Sequence, residues 1–178
     1  MSMVIDGTYG LTYPNSATNG GYINGSTSQA TTSGTAITFS SIPSWAKRVT
    51  VLFNGVSTNS SAYYQIQIGT GSSVQTTGYS GLNFGASSSS SYATNNPTSS
   101  FYVANKYNSS DVFSGAVVLY NIGSNNYVLS GSLGTIASQI RGTNSNGSVS
   151  LSGSLNILTV SDSSGASFTA GSINVFWE

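Results

Sequence analysis

Apolar side chains recur at every second position through most of this chain, in short segments that Gly, Ser and Asn residues interrupt. Alternation with a period of two is typical of a strand that buries one face, whereas an amphipathic helix has a period near ~3.6 residues. The helix formers Leu, Glu, Lys and Arg are scarce. The sequence therefore predicts an all-β protein whose short strands are joined by turns.

The apolar faces place the strands and define a core. Residues 114–122 contain an unbroken apolar run, which predicts a strand buried on both faces. The alternating segments are residues 35–40, 48–56, 62–68, 127–133, 148–157 and 172–177. Such strands predict an antiparallel β-sandwich or jelly roll. The expected core residues are Ile37, Phe39, Val49, Val51, Phe53, Ile66, Ile68, Val118, Leu151, Ile157, Ile173 and Val175.

The first part of the chain differs from the rest. Residues 1–30 are crowded with turn signals such as Asp6-Gly7 and Pro14-Asn15, and they hold too few apolar residues to form a core. We interpret them as an extended N-terminal arm that precedes a sandwich domain at residues 31–178. The arm either contacts another surface, in a neighbouring subunit or a larger particle, or simply covers a sheet edge. Its candidate contact residues are Tyr9, Leu11, Tyr13 and Tyr22.

The composition excludes most site chemistries. There is no Cys and no His, so zinc, iron–sulfur, haem and thiol sites and the usual nucleophile triads are not expected. Four carboxylates offer the only acid–base groups, and nothing in the sequence places two of them together. Four basic residues are too few to follow a nucleic-acid backbone. We therefore expect no catalytic residue, no cofactor, no metal and no nucleic-acid partner.

Several turns carry recognisable signals. Gly69-Thr-Gly71 predicts a hairpin turn, and Asp111 is expected to cap the turn that precedes it. Residues 41–48 predict a tight corner after Pro43, with Trp45 folded over the end of the sandwich and Lys47-Arg48 leaving into solvent. An anion contact at Lys47-Arg48 is the functional alternative.

Residues 79–100 include five consecutive Ser residues and predict a long connection, which is either a functional loop or a mobile tip. Tyr offers a flat ring with a hydroxyl group, and Asn and Ser offer adaptable hydrogen bonds, so loops of this composition suit uncharged sugars and proteins. The candidate binding residues are Tyr79, Asn83, Tyr92, Asn125 and Asn126.

The chain begins without a basic segment followed by a long apolar stretch, and no run approaches the ~20 apolar residues of a membrane helix. We therefore expect synthesis in a cytoplasm without a cleaved signal and without membrane insertion. A protein of this kind that works outside the cell would be released by lysis.

The block TAITFSSIPSWAKRVTVLFNGVS at residues 35–57 resembles a segment of bacteriophage virion proteins, above all the C-terminal domains of tail fibres. QIQIG at residues 65–69, TGY at 77–79 and the ending AGSINVFWE at 170–178 are similar in type and order. IDGTYGLTYP at residues 5–14 resembles the linker that often precedes such a domain.

The resemblance implies a β-rich domain on a phage particle, usually homotrimeric and often used to attach to the host. The implied partners are other copies of the chain, other virion proteins and a glycan or protein of the host surface. One departure is that the chain has a short arm where a tail fibre has a long shaft. The expected function is therefore tail-fibre-like host binding, with two alternatives: a capsid decoration or head-fibre protein anchored by its arm, or a lectin-like adhesin module.

Overall fold

The computed structural model describes residues 4–6, 10–12, 24–87, 90–135 and 141–178, the first two segments by their backbone alone. The regular structure of these segments is entirely β, which confirms the predicted fold class. They include no helix that is long and apolar enough to cross a membrane. The strands are β1 (Val4–Asp6), β2 (Gly10–Thr12), β3 (Asn24–Gly25), β4 (Gln29–Ala30), β5 (Ala36–Ser40), β6 (Arg48–Thr58), β7 (Tyr63–Thr70), β8 (Ser73–Val74), β9 (Ser80–Ser87), β10 (Ser91–Asn95), β11 (Phe101–Asn105), β12 (Phe113–Gly123), β13 (Asn126–Thr135), β14 (Arg141–Ser150), β15 (Ile157–Asp162) and β16 (Phe168–Trp177).

Two antiparallel sheets pack together as a sandwich. The large sheet has the order β10-β9-β14-β13-β12-β6-β16-β3, and β4 also pairs with β16. The small sheet has the order β11-β7-β15-β5, and β8 pairs with β7. Strands β1 and β2 form a separate two-stranded sheet. The inner faces of the two sheets supply one continuous apolar core, as the alternation predicts.

The core contains eleven of the predicted residues in buried positions, and the prediction for Val118 is wrong. On β12, Phe113, Val117 and Leu119 point inward and are at most 1% exposed, whereas Val118 is half-buried on the outer face. An unbroken apolar run does not show which of its two faces turns inward. Here the strand is not buried on both faces, because its outer face is open.

Two predicted segments have a different structure. Residues 79–100 are not a long unstructured connection, because β9 and β10 pair as an antiparallel hairpin within them. Residues 148–157 are not one strand. Strand β14 ends at Ser150 in the large sheet, and β15 begins at Ile157 in the small sheet. The alternation continues across the gap because Leu151 and Leu155 in the connecting segment are also buried.

The described end of the arm belongs to the sandwich. Strands β3 and β4 hydrogen-bond to β16 and cover that edge of the large sheet, which is the simpler of the two roles expected for the arm. A Cβ atom on Gly25 would lie 2.6 Å from the ring of Phe176, so the small residue lets the strand approach. Leu11 is in β2, paired with β1, and Tyr9, Tyr13 and Tyr22 lie outside the described residues.

The turns follow their sequence signals, with one exception. Thr70 pairs with Ser73 across the hairpin turn predicted at Gly69-Thr-Gly71. The corner at Pro43 is closed by a hydrogen bond from the Ala46 amide to the Pro43 carbonyl. The expected position of Trp45 is wrong, because its side chain is 54% exposed and does not cover the end of the sandwich.

Candidate binding surfaces

Two of the five predicted binding residues, Tyr79 and Asn83, are buried and form hydrogen bonds within the protein. Tyr79 is buried, and its hydroxyl group both accepts from the Ile68 amide at 2.8 Å and donates to the Ile68 carbonyl at 3.0 Å. Burial raises the pKa of Tyr79 to about 12. Asn83 is fully buried and donates to the Asn144 carbonyl and to Ser145 Oγ. Neither side chain is presented to a ligand.

The other three candidates lie at two separate places. Tyr92 is half-buried on β10, its hydroxyl oxygen 2.3 Å from the position that a Cβ of Gly85 would occupy, and burial raises its pKa to about 12. Asn125 and Asn126 are at the β12–β13 turn, where Asn125 has a φ of 58° and Asn126 donates to the Gly123 carbonyl. The five residues do not form one site, and a binding role for Tyr92, Asn125 and Asn126 stays a prediction.

The sequence does not show which of the few charged side chains are buried and which are exposed. Only eight residues of the chain are charged, and four of them are buried: Lys106, Asp111, Arg141 and Asp162. Of the others that the structure describes, Arg48 and Glu178 form an ion pair with each other and Lys47 is exposed. The described surface is therefore almost free of charge.

The buried charges lie at one end of the core. Lys106 Nζ donates to the Thr58 carbonyl at 2.7 Å and to Thr58 Oγ1 at 2.6 Å, and Thr58 Oγ1 in turn donates to Asp162 Oδ2 at 2.8 Å. The ammonium group also lies 5.4 Å from the ring centre of Tyr64. Burial lowers the pKa of Lys106 to about 8, and the nearby carboxylates of Asp162 and Asp111 oppose part of that shift.

Hydrogen bonds hold both carboxylates, and those to Asp162 come from its own turn and from residues 58 and 60. Asp162 accepts from Ser60 Oγ and from the amide and hydroxyl groups of Ser164. Burial alone would raise the pKa of Asp162, but the hydrogen bonds outweigh it and lower the pKa below its usual value. Asp111 accepts from the amides of Tyr107 and Asn108, which confirms the expected turn cap.

Tyr64 and Arg141 complete the cluster of buried charged residues around Lys106, Asp111 and Asp162. Burial of Tyr64 raises the pKa of its phenol, and its hydroxyl group donates to the Val56 carbonyl. Arg141 stacks on the ring of Tyr107 at 4.0 Å and extends the cluster toward the surface. The sequence predicts a turn cap at Asp111 and does not predict that any two carboxylates lie together. Asp162 lies far along the chain from Lys106 and Asp111, so no local signal shows that it meets them.

The outer face of the large sheet is apolar in two places. Its first patch consists of Leu52, Val118, Tyr120, Ile122 and Phe176, of which Ile122 is 69% exposed. The second consists of Leu82 and Phe84 on β9. Ser and Asn side chains of β13 and β14 separate the two, because Ser130 and Asn146 lie between Val118 and Leu82 in register. We call this surface the apolar face.

The outer face of the small sheet is polar and aromatic. It consists of Tyr63, Gln65, Gln67, Tyr102, Thr159 and Ser161, and we call it the tyrosine–glutamine face. The rings of Tyr63 and Tyr102 stack with centroids 4.3 Å apart and planes 7° from parallel. No charged side chain is among these six residues. The sequence signal for this face was the alternation of Tyr63, Gln65 and Gln67 with buried residues on β7.

A shallow cleft at one end of β6 and β16 is lined by Arg48, Thr50, Phe176, Trp177 and Glu178. The ion pair of Arg48 with Glu178 lies in its wall. The Lys47 and Arg48 amides donate to the Glu178 carbonyl, so the corner is tied to the last residue of the chain. An anion at this corner would have to compete with the carboxylate of Glu178.

Among the described residues no group of three or more acidic, Cys or His side chains is arranged to hold a metal ion. Comparison with protein-family models, curated proteins and solved structures finds no match to this chain.

Proposed function

We propose that the protein is a non-enzymatic surface protein of a bacteriophage particle, tail-fibre-like, that binds the host surface. The observation that carries this proposal is the almost uncharged surface of the sandwich, on which Tyr, Gln, Thr and Ser side chains stand beside exposed apolar groups. A surface of this kind recognises partners by stacking and neutral hydrogen bonds. The resemblance of residues 35–57 to tail-fibre domains supports the same assignment.

A non-enzymatic role is supported by the state of the carboxylates. Asp111 and Asp162 are buried and occupied by hydrogen bonds within the core, and Glu178 is paired with Arg48. General acid–base catalysis needs a group that reaches the proton of a bound substrate. Burial keeps Asp111 and Asp162 away from a substrate, and Glu178 would first have to leave its partner Arg48.

A capsid decoration protein is the second candidate, and the apolar face favours it. Contiguous exposed apolar patches are typical of surfaces that bind other proteins. Leu52, Tyr120 and Ile122 would then contact another copy of the chain, as in a homotrimer, or a neighbouring virion protein. In this role the protein would be present in tens to hundreds of copies per particle.

Two experiments test the function and separate the candidates. Purified protein should bind host cells and compete with phage adsorption, and an antibody raised against it should place gold particles at the tail or fibre tips of the encoding phage. Gold over the head would favour the decoration protein. Absence of the protein from the virion, together with no binding to host cells, would refute both candidates.

A further inference from the structure

We infer that the tyrosine–glutamine face binds an uncharged oligosaccharide. The inference rests on the proposed function and identifies the surface and the ligand class for host binding. The proposed binding surface is the outer face of the small sheet, and it does not include the loop residues Asn125 and Asn126.

The face is held in place before any ligand arrives. Gln65 donates to Ser161 Oγ at 3.1 Å and accepts from Ser100 Oγ at 2.8 Å. Gln67 donates to the Ser99 carbonyl at 3.0 Å. Both amide groups are therefore fixed in orientation by internal hydrogen bonds. Preorganised groups bind at a lower entropic cost than groups that must be immobilised on binding.

The fixed groups keep hydrogen-bonding capacity for a ligand. An amide has two donor hydrogens and a carbonyl oxygen with two lone pairs. Each Gln amide here uses one donor hydrogen in the contacts just described, and within the described residues Oε1 of Gln67 accepts no hydrogen bond. Thr159 Oγ1 shares a hydrogen bond with Thr38 Oγ1 at 3.0 Å and retains a further lone pair. A row of such groups matches the hydroxyl groups of a sugar.

The stacked tyrosines provide the apolar part of the site. Tyr63 is also held by a hydrogen bond of its hydroxyl group with Thr94 Oγ1 at 3.1 Å. Its partner Tyr102 lies beside Gln65 in the register of β11 and β7. A rigid tyrosine pair next to oriented amides offers contact area for the C–H groups of a sugar and donors and acceptors for its hydroxyl groups.

The size and charge of the face determine the ligand class. Strands β11, β7 and β15 lie side by side over about 10 Å, and Tyr63 to Gln67 extend about 13 Å along β7, which is the footprint of a short oligosaccharide rather than of a single sugar. Among the described residues, the four basic side chains all lie elsewhere, so none is on this face to neutralise an acidic sugar. A protein partner is less well matched, because the centre of a protein interface is more apolar and none of the large exposed apolar side chains lies on this face.

The test uses an array that carries both uncharged and acidic oligosaccharides, followed by calorimetry with the best uncharged hit. Wild-type protein should bind uncharged members, and Tyr102→Ala and Gln67→Ala should each weaken binding about tenfold or more. Thr159→Arg, which adds bulk at the centre of the face without removing a core group, should abolish binding. Tyr120→Ala removes an exposed tyrosine from the apolar face and should leave the affinity unchanged. Melting temperatures close to that of the wild type would show that a loss of binding in a variant does not come from unfolding.

The outcomes separate this inference from the function on which it rests. Sugar binding that survives Gln67→Ala and Thr159→Arg, or a preference for acidic sugars, would overturn the inference and leave host binding intact. Adhesion to host cells without binding to any sugar would do the same. Failure to bind host cells or compete with phage adsorption would instead contradict the proposed function.

Discussion

Burial of Lys106 predicts an unusual dependence of stability on pH. The pKa of this ammonium group is about 8 in the folded protein and 10.5 in an unfolded chain. Between these two values the unfolded chain binds a proton that the folded protein does not. Unfolding then takes up a proton, so raising the pH makes unfolding less favourable.

The magnitude follows from the difference between the two pKa values. One unit corresponds to about 1.4 kcal/mol, so the free energy of unfolding should rise by about 2 to 3 kcal/mol between pH 8 and pH 10. The opposing effect of the tyrosines begins above about pH 10, because the raised pKa of Tyr64 and Tyr79 keeps them protonated in the folded state while they ionise in the unfolded chain. The informative range is therefore pH 7 to 9.5.

The assay is urea denaturation followed by tryptophan fluorescence at several pH values in this range. Lys106→Met is the matched variant, because it keeps an unbranched side chain and removes the titrating group. The wild-type protein should gain stability with pH, and the variant should show little change. A wild-type stability that is flat or falls from pH 8 to 9.5, or an equal rise in the variant, would refute the reasoning.

Three further predictions concern the core, the close contacts between strands and the stability at acidic pH. Phe53→Ala should lower the free energy of unfolding by about 3 to 5 kcal/mol, measured by urea denaturation, because the ring is 3% exposed; its exposed neighbour Leu52→Ala should cost under about 1 kcal/mol. Gly131→Ala should lower the melting temperature markedly, because the new Cβ would lie 2.5 Å from the backbone of β12, whereas Gly142→Ala meets nothing within 4 Å and should be tolerated. The lowered pKa of Asp162 gives stability that is present above about pH 4 and lost as the pH falls further. Asp162→Asn should therefore lower the free energy of unfolding by about 1 to 3 kcal/mol at pH 7 and make its dependence on pH flatter in acid; equal pH dependence of the variant and the wild type in acid would contradict this.

The strands could be predicted because their burial follows local alternation. Val49, Val51 and Phe53 turn inward on β6 as the period of two requires. On β12 the same argument fails, since Ala116, Val117, Val118, Leu119 and Tyr120 are all apolar and only the register with β6 and β13 decides which face is inside.

The connections between strands were harder to predict than the strands. Ser, Thr and Asn fill both the turns and the outward positions of strands, so the hairpin of β9 and β10 reads as a loop. The side chains of Leu151 and Leu155 continue the alternation of β14 while the chain crosses to the other sheet. Strand β9 also pairs with the distant β14, and β15 pairs with the distant β5 and β7; periodicity carries no information about such partners.

The candidate site depends on where the few charged groups lie. Lys106, Asp111 and Asp162 are drawn into one end of the core, where hydrogen bonds from Thr58, Ser60 and the turn amides compensate them. Charged groups that are held in the interior are not available to keep the surface soluble, and hydroxyl and amide side chains take that role on both outer faces. The two faces then differ only in what stands among these polar groups: aliphatic side chains on the large sheet, and stacked tyrosines with oriented glutamines on the small one. On the proposed function, the apolar face of the large sheet would contact other virion proteins, and the tyrosine–glutamine face of the small sheet would bind the host sugar.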